Sequence, residues 1–140
     1  MTEQQKELLH FVTKDEAIGD VSEYCSMEWL SRSGLTPAKQ LMLVRATMPV
    51  GGSHPFHRHP AMEEIIYVIE GQAEQWVDRD HHILGPGDTA HIPTNMVHGT
   101  YNIGDGPLVF LAMLSPAEFE GPATIQVETE EPWSGLRASV

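Results

Sequence analysis

Apolar and polar residues alternate in short runs along this chain, and turn-forming residues close each run. "EEIIYVIEG", residues 63–71, is dense in β-branched side chains and predicts a strand. Alternation from Glu64 puts Ile66 and Val68 on its face, and Ile65, Tyr67 and Ile69 on the other. "QLMLVRATMPV", residues 40–50, predicts a second strand, closed by Pro49 and the Gly51-Gly52 pair. "VSEYCSMEWLS", residues 21–31, and "LVFLAMLS", residues 108–115, predict two more. "QAEQWVD", residues 72–78, alternates and predicts a hairpin partner returning around Gly71. "TAHIP" and "MVHGTYN" predict short strands around a turn at Pro93-Thr94-Asn95. A last strand is expected at 124–128. "SGLTPAK", "DRDHH", Gly85-Pro86-Gly87 and "NIGDGP" read as turns. Residues 2–11 read as a short helical turn or a frayed end.

Short strands at roughly ten-residue spacing, with no helix-period segment between them, point to an all-β sandwich or barrel. The length of 140 residues suits one domain, 1–140, with a sizeable core. The acidic, irregular stretch after Pro116 reads as a tail packed outside the main body.

Composition narrows the function classes. The formal net charge of −12 repels phosphate backbones and anionic lipids, so neither nucleic acid nor a membrane surface is an expected partner. Cys25 is the sole cysteine, which excludes an intrachain disulfide and suits a reducing compartment. "MTEQQKELLHF" has no apolar core of a signal peptide, and no apolar stretch approaches ~20 residues. A cytoplasmic protein is the expectation.

The chemistry concentrates in "HPFHRHPAMEEIIYVIEG", residues 54–71. His57 and His59 lie two apart, so an extended strand sends both imidazoles to one face, with Cα atoms about 6.6 Å apart. Glu64 is five positions beyond His59 and would face away on a continuous strand. Pro60 interrupts that strand, and a corner at Pro60-Ala61-Met62 can return Glu64 to the histidines. Glu63 then faces outward, as a surface residue or cross-strand partner. A fourth ligand must come from elsewhere. His98 opens a short strand after a turn, with Thr100 and Asn102 on its face; His91, before the same turn, competes with it. His54 is expected behind the site or on the surface, and His10, His81 and His82 in solvent. Arg45 interrupts an apolar strand and is expected to pair with a buried acid or reach an anionic ligand. Cys25 reads as a small buried hydrophobe. Trp29, Trp76, Tyr67, Tyr101 and Phe110 read as core or interface residues. Gly85-Pro86-Gly87 lacks the following helix of a phosphate-binding loop.

The spacing Gly51, His57, His59, Glu64, Gly71 resembles the first motif of the cupins, and Gly87, Pro93, His98, Asn102 resembles their second. One position departs: Asn95 stands where the family usually has glycine, and asparagine best tolerates the left-handed backbone a turn requires. The resemblance covers about residues 41–115 and implies a double-stranded β-helix, a jelly-roll barrel, with the N-terminal strand and C-terminal tail outside it. It implies one metal, held by His57, His59, Glu64 and His98. Three imidazoles and a carboxylate suit Fe, Mn, Ni, Cu, Co or Zn, and an octahedral ion would keep about two positions open. No further cofactor and no catalytic residue beyond the ligands is implied. Family frequency favours a dioxygenase acting on a small organic substrate. The alternatives are isomerisation or epimerisation of a sugar derivative, a non-catalytic binding barrel, and a metal that only braces the fold. A homodimer is expected, through the strand around Cys25–Leu30 or the tail around Trp133, because open barrels expose strand edges.

Overall fold

Met42–Met48 buries every second side chain, and Glu63–Glu70 does the same as far as Val68, so each presents one face to a core. The computed structural model containing them describes residues 7–139. Its strands are β1 (Ile18–Val21), β2 (Ser26–Ser31), β3 (Met42–Met48), β4 (Ser53–Arg58), β5 (Glu63–Glu70) and β6 (Ala73–Val77). They continue as β7 (Asp80–Leu84), β8 (Thr89–Ile92), β9 (His98–Asn102), β10 (Leu108–Ser115) and β11 (Ile125–Gln126). A single helical turn, α1 (Trp133–Leu136), follows. Among the described residues no helix is long and apolar enough to cross a membrane.

Two antiparallel sheets form, in the orders β1-β2-β3-β10-β5-β8 and β11-β4-β9-β6-β7. This is the all-β jelly-roll barrel expected. Val44, Ala46, Met48, Ile66, Val68, Phe110 and Ala112 fill the interior from the first sheet. Ile66 and Val68 share the buried face with Glu64, while Ile65, Tyr67 and Ile69 are exposed, as their alternation predicts.

Four sequence expectations are corrected. Residues 21–31 are not one strand: β1 and β2 form a hairpin, pairing Ile18 with Trp29. The Ser22 amide and hydroxyl both donate to the Cys25 carbonyl, closing a turn that outweighs the β-propensity of the run. Residues 72–78 are not a hairpin partner of β5. β5 lies between β10 and β8, and β6 lies in the other sheet between β9 and β7. The chain changes sheet at Gly71, whose φ is +85° and whose missing Cβ would lie 2.4 Å from the Pro107 carbonyl oxygen. The turn expected over 78–82 contracts to Asp78-Arg79, with Asp78 at φ 55°, and His81 and His82 belong to β7. His81 is exposed but stacks on Trp76, ring centroids 4.3 Å apart.

The fourth correction concerns the tail, which is part of the barrel wall. β11 pairs with β4, Gln126 opposite His57. Beyond it Trp133 and Leu136 pack on Phe56 and Trp76, the Phe56 and Trp133 ring centroids 5.7 Å apart. This explains why β6 buries four consecutive side chains. One of its faces lines the interior; the other is covered by the C-terminal segment. Residues 2–6 of the expected N-terminal turn lie outside the described residues, and 7–11 are not helical.

Candidate metal centre

β4 and β9 pair antiparallel with His57 directly opposite His98. His59 follows the last residue of β4, and the Met62 amide donates to its carbonyl (3.2 Å), closing the corner at Pro60. That corner brings Glu64, on the inner face of β5, to the histidines. The ring centroids of His57, His59 and His98 lie 4.2–5.1 Å apart. Their ligand atoms fall within 4.8 Å of one another, a group that can hold a metal ion. Glu64 Oε1 stands 3.2 Å from His59 Nε2 and 3.1 Å from His98 Nε2.

Backbone carbonyls set the tautomer of each ring. His57 Nδ1 donates to Pro55 O (2.7 Å), His98 Nδ1 to Met96 O (3.0 Å), and His59 Nδ1 to Ala123 O (2.9 Å). A carbonyl only accepts, so Nδ1 carries a proton on each ring, and any neutral ring keeps its lone pair on Nε2. The Thr124 hydroxyl also lies 3.2 Å from His59 Nδ1. Orientation of a ligating imidazole by a bond to its other nitrogen is the usual support of a metal site.

The charges fit a cation. Burial raises the Glu64 carboxyl pKa, but the neighbouring imidazoles of His59 and His98 lower it more, and it falls well below the usual range. Burial, then the neighbouring His98, pushes His57 down to about 3, so it is neutral at ordinary pH. His59 is lowered by burial but raised further by Glu64, for a net increase. Glu64 Oε1 and His98 Nε2 are both buried and lack a hydrogen-bond partner among the described residues. With a neutral His98 ring, these are two lone pairs 3.1 Å apart, which repel unless a positive charge lies beside them. A divalent ion would supply that charge, and the donor set suits one of the transition metals.

His57, His59 and Glu64 border a cavity of about 700 Å³. His54 lines it too, its ring edge-on to His57 and to Phe110. It therefore faces the interior rather than the surface. His91 does not reach the site: its Nε2 lies 2.6 Å from Glu63 Oε2 on the exposed face, which makes Glu63 the cross-strand partner expected. Arg45 points outward in register with the half-buried Glu28, and does not line the cavity. Cys25 is buried, and burial pushes its thiol up to about 11, the inert hydrophobe expected. Trp29 and Phe110, read as core or interface, line the cavity.

Sequence reading missed two features. The Ala123 carbonyl behind His59 has no side-chain signature. The second is a C-terminal clasp: buried Glu74 accepts from Arg137 Nε (2.5 Å), Arg137 Nη2 (3.1 Å) and Trp76 Nε1 (2.6 Å). The Arg137 guanidinium also lies 3.8 Å from the Tyr101 ring centroid. Glu74 shares a strand face with Trp76, and nothing in that alternation marks the glutamate as buried.

Comparison with known proteins follows the same lines. The family model described as "Cupin domain" matches residues 44–114. An uncharacterised protein of Methanocaldococcus jannaschii is 36% identical over 74 residues, covering 53% of this chain and 59% of that protein. Dimethylsulfoniopropionate lyase DddQ of Ruegeria pomeroyi is 39% identical over 67 residues, covering 47% of this chain and 32% of the lyase. The chain thus spans less than two thirds of the length of these curated relatives. The solved structure of KdgF from Halomonas sp. superposes with a TM-score of 0.67 at 22% identity, over 77% of this chain and 94% of that one. At that identity the likeness is one of fold.

Proposed function

The chain belongs to the cupin family, and on that premise we propose that it is a metal-dependent enzyme acting on a small organic molecule. His57, His59, His98 and Glu64 hold one divalent transition metal. The observation that carries this reading is the set of three imidazoles, each bonded through Nδ1 to a backbone carbonyl, beside one buried carboxylate, with His98 Nε2 and Glu64 Oε1 left without a partner. When bound, the metal supplies Lewis acidity and a place where substrate and a small co-reactant can meet. The protein does the rest. Pro55, Met96 and Ala123 carbonyls fix the rings, so little reorganisation accompanies substrate binding. Glu64 removes one unit of charge from the ion. The cavity beside His57 and His59 is large enough to admit the substrate.

Oxygen-dependent cleavage, a dioxygenase reaction, is the first reading, because four protein donors leave about two positions free on an octahedral ion. The similarity to a dimethylsulfoniopropionate lyase favours a second, non-oxidative reading. An oxygen electrode separates them. Protein loaded anaerobically with Fe(II) is mixed with enolic, catecholic and thiol compounds. Oxygen uptake stoichiometric with product supports the first. Turnover without oxygen, with Zn or Mn in the site, supports the second. Saturable ligand binding without turnover would leave a binding barrel.

A further inference from the structure

The cavity beside the metal centre is two-sided in its chemistry. On one side stand His54, His57, His59 and Glu64, from β4, the corner and the start of β5, with Thr124 and Gln126 beside them. β2, β3 and β10 contribute Met27, Trp29, Val44, Phe110 and Leu114, which offer no strong hydrogen-bonding side chain apart from the indole N–H of Trp29. Among the described residues Arg32 is the one fixed cation on the lining, and it lies over the Trp29 ring, 5.2 Å from its centroid. Against it stand the carboxylates of Asp20, Glu64 and Glu118.

A polyol laid on the apolar wall would lose hydration at each hydroxyl without replacement. A compact dianion would gain nothing from that wall. At about 700 Å³ the cavity lies in the range that encloses molecules of drug size, well beyond a two-carbon acid. We propose that the substrate is a largely hydrocarbon or aromatic molecule with a single polar, metal-binding head at one end. That end faces the imidazoles, and the body lies on Trp29, Val44, Phe110 and Leu114. This rests on the metal-centre reading above and narrows its substrate class.

The test uses the full chain loaded with Zn(II), its metal content measured first. Acetohydroxamate, hexanohydroxamate, benzohydroxamate and oxalate are titrated calorimetrically. The three hydroxamates share one chelating head and differ in their tails. Each fully buried methylene strengthens binding by about fourfold, so the four extra methylenes of hexanohydroxamate, mostly buried, are expected to tighten binding about thirtyfold over acetohydroxamate, with a ceiling of about 250-fold. Benzohydroxamate should also exceed acetohydroxamate, and oxalate should bind more weakly than either tailed probe. Trp29→Ala should cut the tail preference about fivefold or more while leaving acetohydroxamate affinity within about twofold. Should Trp29→Ala not fold, Trp29→Phe should keep the preference and Trp29→Gln reduce it. Zinc uptake with equal affinities across the series, or with oxalate the tightest ligand, overturns this proposal alone. A chain that takes up no zinc overturns the metal-centre reading, and this proposal with it.

Discussion

His57 and His98 face each other as direct partners across β4 and β9, their ring centroids 4.2 Å apart. The pairing is a matter of register: a one-residue slip of either strand would send one ring to the opposite face. Each ring is braced by a carbonyl two residues earlier in its own strand or turn, Pro55 for His57 and Met96 for His98. The two histidines therefore act as a preset pair, to which His59 and Glu64 are added by the corner at Pro60.

Loss of either partner should empty the site. His57→Ala and His98→Ala are expected to bind less than a fifth of the wild-type metal, and Glu64→Gln to bind with affinity lowered by at least about tenfold. His91→Ala, which removes only the exposed contact with Glu63, should keep full occupancy. Elemental analysis of purified, dialysed protein decides between them. Equal occupancy in wild type and His98→Ala would remove His98 from the ligand set.

Metal binding should also appear as stability. A ligand of the folded state alone, present at about a hundred times its dissociation constant, adds about 2.7 kcal/mol. For a chain of this size that is a rise in melting temperature of roughly 6–15 °C. Scanning calorimetry with and without EDTA checks it, and the His98→Ala variant should show no such difference. A rise of the same size in that variant would place the stabilising ion elsewhere.

Strand parity and the proline corner made His57, His59 and Glu64 legible in the sequence, because each relation is local. From strand pattern alone the partner in the second half was a choice between His98 and His91, and only the resemblance to the cupin motif singled out His98. That choice depends on which sheet each strand joins, and β8 and β9 join different ones. The same long-range freedom explains why residues 72–78 look like a hairpin partner of β5 and are not: alternation carries no information on neighbours in a sheet. The Ala123 carbonyl behind His59 was illegible for a different reason, since any residue could supply it.

Asn95 tests the one departure from the second motif. Its φ is 66°, in the left-handed region, and its Oδ1 accepts from Arg58 Nη1 (2.8 Å). Asn95→Ala keeps the unfavourable backbone and loses the bond, and should cost about 1–2 kcal/mol. Asn95→Gly relieves the backbone and loses the same exposed bond, so it should lie within about 0.5 kcal/mol of wild type. Urea denaturation of the three proteins gives the order. Equal losses for alanine and glycine would assign the role of Asn95 to its side chain alone.

The Glu74–Arg137 clasp joins the C-terminal segment to the second sheet, and its energy should depend on pH. Burial raises the Glu74 pKa, while the hydrogen bonds from Arg137 and Trp76 lower it more, leaving it below the usual 4.5. As pH falls, the unfolded chain takes up the proton first. The clasp's contribution is therefore full above about pH 4.5 and is lost as pH falls through the folded value. Glu74 is buried but Arg137 is 37% exposed, so the pair is partly screened. Arg137→Met strands a buried carboxylate and should cost about 1–3 kcal/mol at neutral pH. Glu74→Gln can keep the Trp76 bond and should cost less. The gap between wild type and Glu74→Gln should narrow steadily below about pH 4.5, read as melting temperatures across a pH series. A gap that stays constant down to pH 3 would mean that the carboxylate charge contributes nothing, and that the tail is held by Trp133 and Leu136 packing on Phe56.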